Sequence, residues 1–248
     1  MTTERALITG ATSGIGAEFA RQLAASGTAL VLVARDAARL EVMSAEVGGA
    51  EIVAADLQSP DGMAVVEARL AASVDPVTIL VNNAGYGVTG EFDANPIELE
   101  MDRHRLLVDV PMRLMHVALA RMLPDRHGTI INIASVAGFT PRGSYGAAKA
   151  WVISFSRWAN IYYRGRGITV TGVAPGFVHT EFHARAAISE GSVPRFMWLD
   201  APFLVRRALA DVARGKAISI PSVRYKVLVF LARVLPPRLA AVGALRGR

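Results

Sequence analysis

Short apolar runs alternate with longer stretches of helical periodicity along this 248-residue chain. The runs are rich in Val, Ile, Leu and Ala, and they lie at residues 6–9, 30–34, 52–55, 78–82, 129–134 and 169–174, with a further short run at 217–220. Because successive residues of a strand face opposite ways, uniformly apolar runs predict strands that are covered on both faces. The pattern therefore predicts an α/β fold, a doubly wound parallel sheet of about seven strands with helices on each side.

Two stretches interrupt the alternation, residues 189–202 and the C-terminal end. Since no internal repeat with a period of about 20 to 50 residues divides the rest, we expect one catalytic domain over residues 1–223. Residues 224–248 form a basic, amphipathic extension that mixes an apolar run with Lys226 and Arg233. The extension is too short to span a membrane. It predicts a contact between subunits, a peripheral contact with an anionic membrane or the binding of acyl chains, and disorder is a further alternative.

Composition narrows the classes of function. The chain is 52% hydrophobic and has no cysteine, which excludes disulfides and thiolate catalysis, and we predict no metal site. No apolar segment reaches the roughly 18 residues of a membrane span, and the N-terminus lacks a signal-peptide pattern, so we expect a cytoplasmic protein, either free or peripheral at the inner membrane face. The net charge is +6, but the basic residues are scattered and not interleaved with aromatic ones, which argues against nucleic-acid binding.

A glycine-rich turn closes the first predicted strand and opens a helix. Its residues are Thr9, Gly10, Ala11, Thr12, Ser13, Gly14, Ile15 and Gly16. Gly10 can turn sharply out of the strand, Gly14 lets a pyrophosphate approach backbone N–H groups, and Gly16 permits close helix packing. A glycine-rich turn alone is often only a turn, but its place between strand and helix favours a Rossmann-like dinucleotide site.

The second predicted strand ends at Arg35, where the side chain discriminates between the nicotinamide cofactors. An acidic residue here would bind the ribose 2′-hydroxyl of NAD, whereas a guanidinium suits the 2′-phosphate of NADP. Arg39 follows one helical turn later, so NADP(H) is favoured over NAD(H). The alternative is that both arginines are solvated helix residues, since Asp36 lies beside them.

Ser135 follows the fifth predicted strand, and Tyr145 and Lys149 open a long helical stretch. The tyrosine and the lysine are four residues apart and share a helix face, so the ammonium can favour phenolate and lower the tyrosine pKa from about 10. Tyr145 then serves as a general acid or base, and Ser135 can donate a hydrogen bond to a carbonyl or alcohol oxygen. By itself, a tyrosine and lysine at this spacing would be an ordinary surface pair.

These motifs, in this order, resemble the classical short-chain dehydrogenase/reductase family, and more narrowly its ketoacyl and long-chain ketone reductases. The resemblance covers about residues 5–220 and includes a fourth motif, Asn82, Asn83, Ala84 and Gly85, after the fourth strand. It implies a single Rossmann-like domain and NADP(H)-dependent catalysis by Ser135, Tyr145 and Lys149, with the lysine also holding the nicotinamide ribose.

The resemblance also implies cofactor contacts in later segments. It places Asp56 and Leu57 against the adenine, although Asp56 could equally cap a helix. It places the turn after the sixth strand over the nicotinamide, with Thr180 on the carboxamide. The predicted contacts in these segments are Asn83, Ala84, Gly85, Tyr145, Lys149, Pro175, Gly176, Val178 and Thr180. We interpret His179 as a loop residue, because Tyr145 fills the acid and base role.

Two features depart from the family pattern. Family members have an asparagine in the fourth helix that supports a water relay to the lysine, and ungapped counting places Leu107 there. Asp109 would substitute only if the helix is locally irregular. The segment between Ser135 and Tyr145 is also shorter than in many relatives, which predicts a tighter loop over the substrate.

The sequence thus predicts an oxidoreductase that uses NADPH to reduce a ketone or 3-oxoacyl carbonyl to a secondary alcohol, or catalyses the reverse. Two other classes stay open: an NADP(H)-binding sensor with little activity, and a membrane-associated scaffold. We expect a hydrophobic small-molecule substrate, because a set of apolar residues could form a lid over it. The alternative is that these residues simply pack on the core. The set is Phe182, Val193, Phe196, Met197, Trp198 and Leu199. Surplus apolar residues at 114–122 and 151–158 predict a homodimer or homotetramer.

Overall fold

The computed structural model describes residues 4–87, 92–179 and 194–236. Within these ranges, seven strands form one sheet: β1 (Arg5–Thr9), β2 (Ala29–Ala34), β3 (Glu51–Ala54), β4 (Ile79–Asn82), β5 (Gly128–Ile133), β6 (Ile168–Val173) and β7 (Ile218–Ser219). Their order is β3-β2-β1-β4-β5-β6-β7, and each neighbouring pair in the described sheet is parallel. The predicted Rossmann-like, doubly wound α/β fold is confirmed.

Helices cover both faces of the sheet. They are α1 (Gly14–Ala25), α2 (Ala37–Glu46), α3 (Pro60–Ala71), α4 (Ile97–His104), α5 (Val110–Asp125), α6 (Gly143–Arg164), α7 (Ala201–Ala213) and α8 (Val223–Val234). Leu7 of β1 packs in the core that holds residues of α3 and α5, whereas its neighbours Ala6 and Ile8 pack with residues of α1 and α7. A strand buried on both faces in this way has no polar side, which is why the runs are uniformly apolar.

The strand order reverses between β1 and β4. From β1 the chain proceeds through β2 to β3 at one edge, and then returns to the other side of β1 to build β4 through β7. In such sheets ligands bind in the crevice at the carboxyl ends of the strands, at this reversal point. The glycine-rich turn follows β1 and the Asn83 motif follows β4, so both lie at the reversal.

A π-helical stretch, Arg105–Asp109, joins α4 to α5. Pro111 lies in the first turn of α5 and has no N–H to donate, so one carbonyl of the preceding turn lacks its helical donor. This favours irregular winding at that point.

Helix α8 begins at the predicted start of the C-terminal extension. It buries Tyr225 and Val229, while Val227, Phe230 and other apolar side chains are exposed. Residues 237–248 lie outside the described ranges, and the division into a domain and an extension stays a prediction. Across the described residues, we find no helix whose length and apolar character would let it cross a membrane.

Candidate active site

The glycine-rich turn has the geometry expected of a phosphate cradle. Gly10 and Gly14 have φ angles of +65° and +55°, which disfavour any residue with a Cβ. A Cβ on Gly16 would lie 2.3 Å from the Gly10 carbonyl oxygen, so only glycine allows α1 to pack this closely. Ser13 is the N-cap of α1, but among the described residues its side chain accepts no hydrogen bond from the N–H groups of the first turn. The N–H groups of that turn are therefore available to an anionic ligand.

Thr9 ties the glycine-rich turn to the end of β4. Its hydroxyl oxygen accepts hydrogen bonds from the backbone N–H groups of Asn83 and Ala84, both at 3.0 Å. The Asn83 amide nitrogen donates to the carbonyls of Thr9 and Gly10 at 2.9 and 3.1 Å. Asn83 was predicted as a cofactor contact, and in this structure its side chain holds the turn. The sequence analysis gave Thr9 no role. The sequence feature that could have indicated one is the polar side chain at the end of an otherwise apolar strand.

The predicted adenosine-side residues occupy the carboxyl ends of β2 and β3. Arg35 is exposed directly after β2. The Arg39 guanidinium donates to the Thr12 carbonyl at 3.3 Å and so lies against the glycine-rich turn. Asp56 is exposed and accepts a hydrogen bond from the Gln58 backbone N–H at 3.0 Å. Asp56 therefore stabilises a turn, while the N-cap of α3 is Ser59. Leu57 is buried in the core on the α3 side of the sheet.

Ser135, Tyr145 and Lys149 come together beside the end of β5. The hydroxyl groups of Ser135 and Tyr145 are hydrogen-bonded to each other. Ser135 also accepts a hydrogen bond from the backbone N–H of Ala137 at 3.1 Å, which fixes its rotamer at the start of a 3₁₀ turn. The Lys149 ammonium donates to the Ile133 carbonyl at 2.7 Å and lies 5.8 Å from the centre of the Tyr145 ring.

The turn after β6 packs against both the Ser135 segment and α8. The Pro175 carbonyl accepts from the Val136 N–H at 2.9 Å, and a Cβ on Gly176 would lie 1.9 Å from the Tyr225 ring. Val178 is buried and forms a β-bridge with Leu199. Thr180, the predicted carboxamide contact, lies outside the described residues.

The apolar set that was expected to form a lid or pack on the core divides in the structure. Trp198 and Leu199 are buried, Met197 is half-buried and Phe196 is exposed. Phe182 and Val193 lie outside the described residues. His179 stacks on Trp198 with ring centres 4.7 Å apart. The predicted loop role of His179 stays an interpretation.

The family model described as short chain dehydrogenase matches residues 4–190. This chain belongs to the short-chain dehydrogenase family. It is therefore an NAD(P)-dependent oxidoreductase that acts on CH–OH groups or carbonyls, which confirms the predicted enzyme class.

Three similar proteins illustrate the family match. Nodulation protein G of Rhizobium sp. (strain N33) is 36% identical over 189 residues, which cover 73% of this chain and 75% of that protein. A short-chain dehydrogenase from Sphingobium yanoikuyae, solved in complex with NADPH, is 34% identical, with a TM-score of 0.84 and coverage of 98% of this chain and 93% of that one. The bulky-bulky ketone specific alcohol dehydrogenase from Comamonas testosteroni is 31% identical, with a TM-score of 0.81 and coverage of 99% and 93%.

The proton affinities in this short-chain dehydrogenase differ from the sequence expectation. Burial raises the pKa of Tyr145 to about 12. The hydrogen bond with Ser135 and the charges of Arg103 and Arg142 act in the opposite direction, but their combined effect is smaller. Burial also lowers the pKa of Lys149 from 10.5 to about 8. The expected lowering of the tyrosine pKa is therefore wrong for the structure as it stands. The reason is that desolvation disfavours both charged forms, an effect that residue spacing does not reveal.

Leu107 is the residue that ungapped counting places at the family's asparagine position. It is 2% exposed, and it lines a cavity of about 10 Å³ together with Lys149 and Asn82. A cavity of this size accommodates roughly one water molecule. The Asn82 side-chain oxygen is buried and has no hydrogen-bond partner among the described residues.

Asp109 does not take over the asparagine position. The helix is irregular there, as that hypothesis required, but the Asp109 side chain is about half exposed, and its carboxylate lies 3.7 Å from the His104 ring nitrogen. The π-helical turn directs Leu107 inward and leaves Asp109 at the surface.

Proposed function

We propose that this short-chain dehydrogenase uses NADPH to reduce a ketone carbonyl to a secondary alcohol, and that it catalyses the reverse reaction when NADP⁺ and alcohol are supplied. The observation that carries this proposal is the hydrogen-bonded Ser135 and Tyr145 pair with Lys149 one helical turn away. This trio lies at the carboxyl edge of the sheet, where the glycine-rich turn also opens. A proton donor and a dinucleotide cradle therefore share one crevice.

The residues present fit a dinucleotide phosphate. A Cβ on Gly16 would fill the space between α1 and the turn, and the uncapped first turn of α1 offers N–H groups to a pyrophosphate. Arg35 and Arg39 place two positive charges where a 2′-phosphate would be recognised. The similar Sphingobium enzyme was solved with NADPH, which supports the same cofactor here. When bound, NADPH supplies a hydride to the carbonyl carbon.

Each catalytic side chain has a task that follows from its surroundings. Tyr145 is protonated at neutral pH because its pKa is about 12, so it can give a proton to the substrate oxygen during reduction. Ser135 accepts from the Ala137 N–H, which leaves its own hydroxyl proton to bind that oxygen. Lys149 is mostly charged at neutral pH with a pKa of about 8, and the cation stabilises the phenolate left behind.

The substrate we propose is a hydrophobic ketone, such as a bulky ketone or a 3-oxoacyl compound. The similar Comamonas enzyme is specific for bulky-bulky ketones, which supports this class. Exposed Phe196 and the exposed apolar residues of α8 supply hydrophobic surface near the turn after β6. We also propose a homodimer or homotetramer, because α6 exposes Trp158, Ile161 and Tyr162.

Replacement of Tyr145 by phenylalanine tests the proposal. We expect Tyr145→Phe to lower the rate of ketone reduction by at least about a hundredfold, because the proton donor is removed while the ring is kept. The NADPH dissociation constant should change little, since the glycine-rich turn is untouched. Turnover is followed by NADPH absorbance in a screen of ketones and acyl thioesters of increasing chain length, and binding by NADPH fluorescence.

Three outcomes are distinct. Loss of turnover with retained binding supports the proposal, and full activity of Tyr145→Phe contradicts the assigned proton donor. NADPH binding by the wild-type protein without turnover of any carbonyl compound would favour the sensor alternative. Leu107 in place of the asparagine is the feature that keeps this alternative open.

A further inference from the structure

A buried ion pair lies beside the catalytic tyrosine. Glu100 and Arg103, three residues apart on α4, have only 6% and 5% of their surfaces exposed. Their charged groups contact each other directly. Asn95 donates a hydrogen bond to the second Glu100 oxygen at 2.9 Å. Contacts within residues 95–103 therefore hold both charges in the interior.

Ser144, the residue immediately before Tyr145, completes the cluster. Its hydroxyl donates to the Glu100 carboxylate at 2.5 Å and accepts from the Arg103 guanidinium at 3.0 Å. The first turn of α6 is therefore attached to α4 through both charges. Since Tyr145 projects from the same turn, its backbone position depends on this attachment.

Stability alone does not explain why the cluster is charged. Burying two ions costs several kcal/mol each, and apolar residues of similar volume are often as stable or more stable. The pair also leaves the Arg103 Nε buried without a hydrogen-bond partner among the described residues, which is a further cost in stability. A charged pair that is buried next to a catalytic group despite these costs is a candidate for an electrostatic role.

Three side chains lower the pKa of the Tyr145 hydroxyl, and the charged group of a fourth, Lys149, lies near its ring. Ser135 forms a hydrogen bond from the end of β5, and Arg103 and Arg142 lower the tyrosine pKa through their charges. Lys149 lies 5.8 Å from the ring centre and directs its ammonium to the Ile133 carbonyl. Arg103 has a buried, charged partner in Glu100, so its charge is held in place.

We propose that Arg103, held by Glu100 and Ser144, is a positioning residue that sets the proton affinity of Tyr145. The guanidinium favours the phenolate, and Glu100 fixes the guanidinium while opposing part of its field. The proposal deepens the proposed function, because it rests on Tyr145 as the proton-transferring group. It assigns to α4 a share of the electrostatic work that the sequence interpretation gave to Lys149 alone.

The test compares two variants that break the same ion pair but change the local charge in opposite directions. Arg103→Met removes the positive charge and should raise the tyrosine pKa, so that the phenolate fraction at pH 10.5 falls by at least about threefold. Glu100→Gln keeps the shape, removes the opposing negative charge and should increase that fraction by a similar factor. A merely structural role would make both variants shift the fraction in the same direction or not at all.

The readout is the ¹³C NMR shift of the Tyr145 ring, in full-length protein carrying ¹³Cζ-labelled tyrosine. The Tyr145→Phe variant identifies the signal. Arg103→Lys keeps the charge and should restore most of the wild-type titration. Arg105→Met is the matched control, because Arg105 pairs with Asp102 at the same three-residue spacing but on the exposed surface, at 2.9 Å. This control should leave the Tyr145 signal unchanged.

The pH profile of alcohol oxidation supplies a second readout in the enzyme saturated with NADP⁺. The apparent pKa of the rising limb should move up in Arg103→Met and down in Glu100→Gln. Opposite shifts of the NMR signal support the proposal even if no substrate has been found, which separates its outcome from that of the proposed function. Equal or same-direction shifts in Arg103→Met and Glu100→Gln overturn it. If Arg103→Met does not fold, Glu100→Gln alone decides, and an unchanged phenolate fraction then overturns the proposal.

Discussion

At the scale of single residues, two arginines next to the glycine-rich turn are held very differently. Arg39 is half-buried and bonded to the Thr12 carbonyl, so its guanidinium already has a structural partner. Arg35 is exposed at the end of β2 and presents its charge toward solvent. Arg35 is therefore better placed to recognise a phosphate, while Arg39 also steadies the turn.

Arg35→Asp should reduce kcat/KM with NADPH by roughly tenfold to a hundredfold, because a charge-assisted hydrogen bond of about 1.5–3 kcal/mol is lost. The value with NADH should fall much less or rise, since a carboxylate suits a ribose hydroxyl. Steady-state kinetics with both cofactors check this. Arg207→Asp makes the same charge change at an exposed position of α7, which contains none of the predicted site residues, and should leave the ratio unchanged. An unchanged ratio in Arg35→Asp would mean that the phosphate is recognised elsewhere.

Much of the residue-level site was predictable because its signals are local. Ser135, Tyr145 and Lys149 follow recognisable spacings, and the structure brings them together. The sign of the Tyr145 pKa shift was not predictable, since it depends on burial by distant segments. The burial of Arg103 was not predictable either, because the sequence pattern of α4 is that of an ordinary helix with surface arginines.

At the scale of elements, α8 is joined to the turn after β6 by one side chain. The Tyr225 hydroxyl accepts from the Phe177 N–H at 3.0 Å and donates to the Met197 carbonyl at 2.6 Å. Gly176 leaves the space in which the ring sits. Tyr225 thus connects segments on both sides of residues 180–193 to α8.

Gly176→Ala should destabilise the protein by about 1–3 kcal/mol, because the added methyl group overlaps the Tyr225 ring. The same substitution in a Tyr225→Ala background should cost much less, since the ring that it meets is gone. Urea unfolding of the four proteins of this double-mutant cycle measures the coupling. Gly165→Ala is a suitable control, because no described atom lies within 4 Å of the position that its methyl group would take. Additive effects of Gly176→Ala and Tyr225→Ala would contradict a direct overlap.

The elements themselves were predicted well, because the periodicities of strands and helices are sequence-local properties. The alternation of strands and helices predicted a doubly wound parallel sheet of about seven strands, and the structure contains that sheet. The sequence did not show that α4 continues through a π-helical turn into α5, since a single inserted residue leaves little trace in a periodic pattern. That turn decides that Leu107 faces inward and Asp109 outward.

At the scale of the whole molecule, two buried catalytic groups make folding stability depend on pH. Lys149 has a folded-state pKa of about 8 against 10.5 for its ordinary value, so the unfolded chain binds more protons between these limits. Stability therefore rises with pH from about 8 to 10.5. Tyr145 has a folded-state pKa of about 12 against 10, so the folded chain binds more protons and stability falls above pH 10.

The free energy of unfolding, measured with urea and without added nucleotide, should rise between pH 8 and 10 by at most about 3 kcal/mol. Lys149→Met should lack most of this rise, because it removes the group that must lose its proton on burial. Tyr145→Phe should keep the rise and show a smaller decline above pH 10, because Tyr225, whose pKa burial also raises, still contributes to that decline. A wild-type profile that stays flat between pH 8 and 10 would show that the folded protein accommodates the Lys149 charge without a shift.

The contact between Gly85 and Leu107 has a consequence for how this enzyme can change over evolutionary time. A Cβ at position 85 would lie 2.9 Å from a terminal methyl carbon of Leu107, so the glycine of one motif and the residue in the place of the asparagine share one volume. A smaller side chain at position 107 would leave room for alanine at position 85, whereas with leucine there the Leu107 side chain would have to shift. The two positions are therefore expected to vary together among related enzymes, for steric as well as catalytic reasons.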